Sequence, residues 1–235
     1  MQGAYYKRTG CLLKADPSKP KHYFKVVGDK IQDFIKNRKG WSLLDVGGAT
    51  GAFASYIRHR FGDIDITVLD CDEVLVREGR ARIKECRFVL GDVRSMCLDD
   101  QRFDVTTCMG TIGFFDRFDK VIDELLRVTK KGGMVAIFTR VNDYPVDCLI
   151  RYRYSEDEKR LWHTGYNTFS RYSYEQYFRE NKDVASSSFD KFSIPFDIPK
   201  SKDPIKTWTE ICNGERLIKN AVMPHNFYLI SIYKK

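Results

Sequence analysis

The sequence predicts an α/β fold: a doubly wound, mainly parallel sheet with helices on both faces. Three observations carry this. Between residues 41 and 140, short apolar runs rich in β-branched residues alternate with longer runs of helical periodicity. The first apolar run ends in a turn too glycine-rich for a helix interior, Val46-Gly47-Gly48-Ala49-Thr50-Gly51, and the helix-like AFASYIRHRF follows at once. Asp70, Asp92 and Gly110 close the next three runs. In a parallel sheet those positions share one edge, the carboxyl ends of the strands, where ligands of open α/β sheets bind.

Each element has its own justification. Pro17 and Pro20 argue against a long helix in residues 1–21. Phe24, Val27, Ile31, Phe34 and Ile35 recur every three or four residues, predicting a helix over 22–39 that stops at Gly40. Ser42–Asp45 is the end of a buried strand, and a helix starts near Ala52. Ile64–Asp70 is β-branched and predicts the second strand. A charged helix over Glu73–Glu85 and a strand at Arg87–Leu90 come next, then Gly91-Asp92-Val93. Phe103–Met109 is the fourth strand. Phe118–Thr129 turns Val121, Ile122, Leu125, Leu126 and Val128 inward as a helix, with Lys131-Gly132-Gly133 as its stop. Met134–Thr139 is the fifth strand, Ser173–Glu180 a helix, Ser186–Ile194 a sixth strand and Asn226–Tyr233 the last. Pro204–Asn220 reads as a helix-like insert interrupted near Gly214. The domain plan is one unit: an arm and helix (1–40), a ligand-binding core (41–140), insertions and remaining sheet (141–225) and a final strand (226–235).

Composition bounds the class. The 235 residues suffice for one domain with a full core, and 43% hydrophobic with 14% aromatic content suits a globular chain. The N-terminus has no apolar run and no stretch approaches a membrane span, so a cytoplasmic protein without a membrane partner is expected. Seven cysteines at 11, 71, 86, 97, 108, 148 and 212 form no C-x-x-C pair. They predict neither a metal site nor disulfides, and read as small buried hydrophobes. The net charge is +8. Residues 1–41 hold ten Lys/Arg against three Asp, a net +7. Such an arm suits an anionic partner; a solvated helix is the alternative.

The glycine turn lacks the dinucleotide pattern G-x-G-x-x-G, because Ala49 and Ala52 stand where glycine is needed. Asp45-Val46-Gly47-Gly48-Ala49-Thr50-Gly51 instead resembles motif I of the class I S-adenosylmethionine-dependent methyltransferases, D/E-x-G-x-G-x-G. Asp45, Gly47 and Gly51 match, and Ala49 departs from the middle glycine. The step F-x-x-G-D-V at 88–93, the entry Phe103-Asp104-Val105 and the phrase LLRVTKKGGMVAIF extend the resemblance over roughly residues 40–140. It implies a Rossmann-like, seven-stranded sheet whose last strand is antiparallel. The cofactor implied is S-adenosylmethionine, the product S-adenosylhomocysteine. Asp45, Gly47, Gly48, Ala49 and Gly51 would cradle it. Asp70, beside Cys71, would accept from the ribose diol in preference to Asp72. Asp92 would accept from the adenine amino group and the Val93 N–H would meet a ring nitrogen; a helix cap is the other role open to Asp92. Met109 and Gly110 would line the adenine or methionine portion, with core filling the plainer role of Met109.

Methyl transfer from a sulfonium needs chiefly a positioned nucleophile and exclusion of water, so the sequence marks the cofactor site better than the catalytic residue. His163, in Trp162-His163-Thr164-Gly165-Tyr166-Asn167, is the candidate general base. Tyr5, Tyr6, Arg140, Tyr166 and Arg171 are candidates for the substrate pocket, each with packing or solvent exposure as its plainer role. Ten aromatics in 144–178 lie outside the regular alternation, and segments 1–21 and 144–172 are expected to cover the strand ends. The acceptor expected is the oxygen or nitrogen of a small polar anion, phosphorylated or nucleotide-linked, as in surface-glycan or secondary metabolism. RNA or protein methylation is the alternative. Against it, the chain reads Met109-Gly110-Thr111-Ile112 where many amino-methylating enzymes carry N/D-P-P-Y/F, and the basic excess is confined to the arm. A non-catalytic scaffold is the third reading, against which Asp45, Asp70 and Asp92 all stand intact.

Overall fold

A computed structural model describes residues 19–36, 38–156, 158–159 and 161–235. Tyr5, Tyr6 and the rest of the basic arm to residue 18 lie outside the described residues, as does Cys11. The core alternates as the sequence dictates: α1 (His22–Ile35), β1 (Ser42–Val46), α2 (Ala52–Phe61), β2 (Asp65–Asp70), α3 (Glu73–Arg82), β3 (Arg87–Leu90), β4 (Phe103–Met109), α4 (Asp119–Val128) and β5 (Thr129–Asn142). Three two-residue strands and a helix follow: β6 (Arg151–Tyr152), β7 (His163–Thr164), β8 (Phe169–Ser170) and α5 (Arg171–Glu180). The chain ends with β9 (Val184–Phe192), β10 (Trp208–Cys212), β11 (Glu215–Lys219) and β12 (Asn226–Lys234).

The sheet has eight strands, in the order β3-β2-β1-β4-β5-β12-β9, with β8 paired to β5. The strands from β3 to β5 are parallel, and β12 runs antiparallel to both β5 and β9. The eighth strand, one more than the sequence predicts, is β8, which pairs in parallel with Val141 and Asn142 of β5. Since β12 occupies the other edge of β5 as far as Val141, β8 lies in line with β4 beyond its carboxyl end. Strand order reverses between β1 and β4, which makes their carboxyl ends the switch point.

Two apolar layers hold the sheet. On one face Phe24, Val27 and Ile31 of α1 and Phe53, Ala54 and Ile57 of α2 pack on Leu43, Ile66, Val68 and Val105. On the other, Val121, Ile122, Leu125 and Leu126 of α4 pack with Tyr174 and Phe178 of α5 on Leu44, Val46, Cys108 and Ile137. Each such fully buried side chain contributes about 1.5–3 kcal/mol relative to exposure.

Three local expectations are corrected. Residues 204–220 contain no helix; β10 and β11 form an antiparallel hairpin instead. Its turn is Asn213-Gly214, both with positive φ (51° and 82°), the residue pair that suits a two-residue hairpin turn. Lys131-Gly132-Gly133 does not cap α4 but lies inside β5. Thr129 ends the helix by turning extended, while its hydroxyl donates to Leu125 O at 2.6 Å. The cysteines are not uniformly buried: Cys86 and Cys108 are, whereas Cys71, Cys97 and Cys212 are exposed. Among the described residues no helix is long and apolar enough to cross a membrane, and no cluster of three or more His, Cys, Asp or Glu could hold a metal ion.

Candidate active site

The glycine turn is built on two buried carboxylates. Asp45, at the end of β1, is 1% exposed. Thr107 of the neighbouring β4 donates its hydroxyl to Asp45 Oδ1 at 2.9 Å. Oδ2 is buried and has no hydrogen-bond partner among the described residues. Burial pushes the Asp45 carboxyl up to about 7; the Thr107 hydrogen bond opposes this, and the charge of Asp70 adds to it. Gly48 lies directly on this carboxylate, where a Cβ would stand 2.5 Å from Oδ2 and 2.6 Å from Val68 Cγ1. The N–H groups of Gly47 and Gly48 both reach Leu69 O, at 2.7 and 3.2 Å, tying the turn to β2.

Asp70 braces the same turn from the end of β2. Its Oδ2 accepts from Ala49 N at 2.9 Å and its Oδ1 from Asp72 N at 3.0 Å. Burial raises its pKa, and the backbone donors oppose that rise. The bond from Ala49 matters because Ala49 is left-handed (φ 51°), a strained conformation for a residue with a Cβ. Asp72 is committed elsewhere: its Oδ1 caps α3 by accepting from Val74 N at 2.9 Å and Leu75 N at 3.2 Å. Cys71 stands exposed between the two. Gly51 opens α2 without a side chain to cap it, so the orphan N–H groups of that helix start at the turn.

Asp92 and Gly110 complete the edge. Asp92 caps no helix; it accepts from Arg94 N at 2.8 Å in a short turn and holds the Arg94 guanidinium at 2.5 Å. Arg94 keeps this carboxyl below the usual range, and its guanidinium lies 5.2 Å from the Phe115 ring. Val93 is buried beside it. Met109 is half-buried, and Gly110 N donates to Phe138 O at 2.8 Å. A Cβ on Gly47 would lie 2.0 Å from Thr111 Oγ1, so the turns after β1 and β4 touch.

Beside the turn an aromatic wall runs along β5 and β12. The Tyr23 ring, from the start of α1, stacks on Phe138 at 4.7 Å, and Phe138 stacks on Phe227 at 5.4 Å. Burial first, and then the charge of Asp45, raises the Tyr23 pKa. The Arg140 guanidinium lies between two rings, 4.6 Å from Tyr166 and 5.1 Å from Phe227. Tyr166 is 3% exposed and left-handed, with φ 63°.

His163 is buried in the β6–β7 ribbon, its ring 5.5 Å from Tyr152 and 6.3 Å from Tyr154. Tyr152 in turn packs on Tyr166 at 5.9 Å, so two tyrosine rings lie between His163 and Arg140. Arg171 is exposed in the first turn of α5, paired with Glu175 at 2.6 Å and lying over Phe189. Within 144–178 the aromatics divide: Phe169, Tyr174 and Phe178 pack with Phe118 against the sheet, while Tyr144, Trp162 and Tyr172 are exposed. Sequence reasoning missed Tyr23, Thr107 and Thr111, and it ranks His225, with His22 and His59, below His163 as a candidate base. Tyr23 reads as one more residue of an amphipathic helix, and the others carry no motif.

The donor set fits a ligand that is a nucleoside at one end and a cation at the other. Asp70 is the strand-end carboxylate suited to ribose hydroxyls, and the partnerless Asp45 oxygen suits positive charge. These residues lie at the switch point of an α/β sheet of order 3-2-1-4-5-7-6, counting only the long strands, where ligands of open α/β sheets bind. A family model described as "Methyltransferase domain" matches residues 43–133. A ubiquinone/menaquinone biosynthesis C-methyltransferase UbiE of Ruegeria sp. (strain TM1040) is 34% identical over 115 residues, 46% of each chain. A malonyl-[acyl-carrier protein] O-methyltransferase of Pectobacterium atrosepticum is 26% identical over 112 residues, 48% of this chain and 44% of that protein. The chain thus spans about half the length of the curated relatives it matches. Among solved structures, the YcgJ protein from Bacillus subtilis superposes with a TM-score of 0.60 at 16% identity, over 92% of this chain and 99% of that one. A SAM-dependent methyltransferase from Methanosarcina mazei gives 0.60 at 12% identity, over 86% and 96%. Residues 43–133 thus match a methyltransferase domain, and the chain resembles the class I S-adenosylmethionine-dependent methyltransferases, a family whose cofactor is S-adenosylmethionine.

Proposed function

We propose that this protein transfers the methyl group of S-adenosylmethionine to a small polar acceptor bearing an anionic group. The observation that carries the reading is the buried Asp45 oxygen, partnerless among the described residues, beneath the Gly48 turn at the switch point. A buried carboxylate oxygen without a partner is costly, and a cation arriving beside it repays that cost. The cofactor supplies an activated methyl group on a sulfonium, whose leaving group is neutral. Ionised Asp45 balances the positive charge. Asp70 holds Ala49 and the turn in place and offers its remaining lone pairs to hydroxyls. Asp92, oriented by Arg94, accepts at the far end of the edge. On the acceptor side Arg140 supplies a positive charge between two rings, and Tyr23, Phe138, Phe227 and Tyr166 form an apolar wall that excludes water.

A wall of this kind supports a compact acceptor rather than a nucleic-acid groove. The reading keeps oxygen or nitrogen as the acceptor atom. The test is a methyl-transfer screen with radiolabelled cofactor over small carboxylates, phosphate monoesters and their neutral esters. Label is expected in anionic acceptors and not in the esters. Labelling of neutral acceptors alone would overturn the anionic assignment. Label fixed on carbon, the acceptor named in the Ruegeria relative, would overturn the choice of atom.

A further inference from the structure

His225 lies at the carboxyl edge, immediately before β12, and the sequence gives it no motif. Its backbone is fixed: His225 N donates to Ile218 O at 2.8 Å, and the neighbouring Pro224 bridges to Lys219. Its ring stands edge-on to Phe227 at 5.1 Å. Phe227 is the same ring that flanks Arg140 at 5.1 Å and stacks on Phe138. The next residues of β12 pair with the end of β5, Asn226 with Val141 and Phe227 with Arg140. His225 therefore stands beside the aromatic wall and the cation that close the acceptor side.

The state of the ring follows from its contacts. Nδ1 is 3.2 Å from Met223 O, and because a carbonyl only accepts, Nδ1 carries the proton. Nε2 is then a bare lone pair. The side chain is 7% exposed, and Nε2 is buried with no hydrogen-bond partner among the described residues. Burial, with the Arg140 charge, drives the imidazole pKa down to about 3, against the smaller effect of Met223 O. The ring is thus neutral throughout the physiological range and cannot serve as a reservoir for a proton. What remains is a fixed hydrogen-bond acceptor next to a fixed cation. Buried acceptors without partners are rare in folded proteins, and a catalytic or ligand-binding role is one of the accounts of those that persist.

We propose that His225 Nε2 is a contact for the methyl acceptor, accepting a hydrogen bond from its O–H or N–H while the acceptor's anionic group lies toward Arg140. The inference rests on the proposed methyl transfer and narrows its acceptor to a hydroxy- or amino-substituted carboxylate or phosphate. The role of the ring is to orient the nucleophile: holding its hydrogen turns a lone pair of the same atom toward the methyl group. As the new O–C or N–C bond forms, the sulfonium S–C bond breaks, S-adenosylhomocysteine leaves and the acceptor's proton is released to solvent. A compound with the anionic group but no donor would leave Nε2 unpaired and be discriminated against.

The test compares wild type with His225→Phe, which keeps a ring of similar size without nitrogens, and His225→Gln, which restores an acceptor. Each is assayed with salicylate, anthranilate and phosphoserine as methyl acceptors, for S-adenosylhomocysteine affinity and for thermal midpoint. In His225→Phe we expect kcat/KM to fall by about tenfold or more, with cofactor affinity within about twofold. His225→Gln should recover part of the loss. The midpoint of His225→Phe should equal or exceed that of wild type, because a partnerless buried nitrogen has been removed. Unchanged kcat/KM in His225→Phe would overturn the proposal. So would a fall in midpoint of more than about 3 °C, which marks a structural ring. If wild type methylates none of the three, the acceptor class proposed above fails, and the midpoint still decides whether His225 is kept for packing or for a ligand.

Discussion

Asp45 holds two opposed properties at one position. Its carboxyl is buried, which favours the neutral acid, yet a cationic cofactor needs it ionised. The groups facing it are the Thr107 hydroxyl, which favours ionisation, and Asp70, which opposes it. The ordinary carboxyl pKa is near 3.8, and in the folded protein it stands at about 7. Between these values the folded state holds a proton that the unfolded state has lost, so stability falls as pH rises through this window and levels off above it. At 1.36 kcal/mol per pKa unit, the loss in wild type is about 2–4 kcal/mol. Asp45→Asn removes the titration, so the variant's midpoint should exceed that of wild type increasingly from pH 4 to pH 7. Parallel pH profiles would show that Asp45 is already ionised and paired. Asp70 shows the converse: both its oxygens already accept backbone N–H groups, and the site gains a rigid turn from a residue otherwise suited to ligand contact.

At the scale of elements, the legible parts were those whose periodicity and end residues agree. Asp45, Asp70 and Met109 end β1, β2 and β4 within a residue of where the apolar runs stop, because parallel strands buried on both faces read as unbroken apolar stretches. The β10–β11 hairpin reads as a helix from sequence because Ile205, Trp208, Ile211 and Ile218 fall near helical spacing, whereas the stronger signal is Asn-Gly between two β-branched runs. Lys131-Gly132-Gly133 misled for the related reason that a glycine pair reads as a helix stop, although here Thr129 stops the helix. Tyr23 carries no signal in the sequence and His225 only that of a lone histidine, since their surroundings form only when β5 and β12 come together. The hairpin makes a prediction of sign. In a helix, Gly214→Ala would stabilise by about 1 kcal/mol. At φ 82° the same change is strained and should lower the thermal midpoint by about 2–4 °C. Affinity for S-adenosylhomocysteine should stay unchanged, because the hairpin adjoins β12 rather than β1 and β2. A raised midpoint would restore the helical reading.

For the whole molecule, the sheet order does the assembling. Strand order reverses between β1 and β4, and the residues proposed to hold the cofactor lie around their carboxyl ends: Asp45 and Gly48 from β1, Asp70 from β2, Asp92 after β3, and Gly110 and Thr111 after β4. The wall of Phe138, Arg140 and Phe227 continues the same edge through β5 and β12. The proposed cofactor and acceptor sites are therefore adjacent stretches of one sheet edge. This edge is expected to recognise an adenosyl group joined to a cation, without the glycine spacing that a dinucleotide requires. Calorimetric titration with S-adenosylmethionine, S-adenosylhomocysteine and NAD tests that recognition. Saturable one-to-one binding of the first two, with no heat of binding from NAD, is the result expected; saturable binding of NAD with no response to S-adenosylhomocysteine would contradict it.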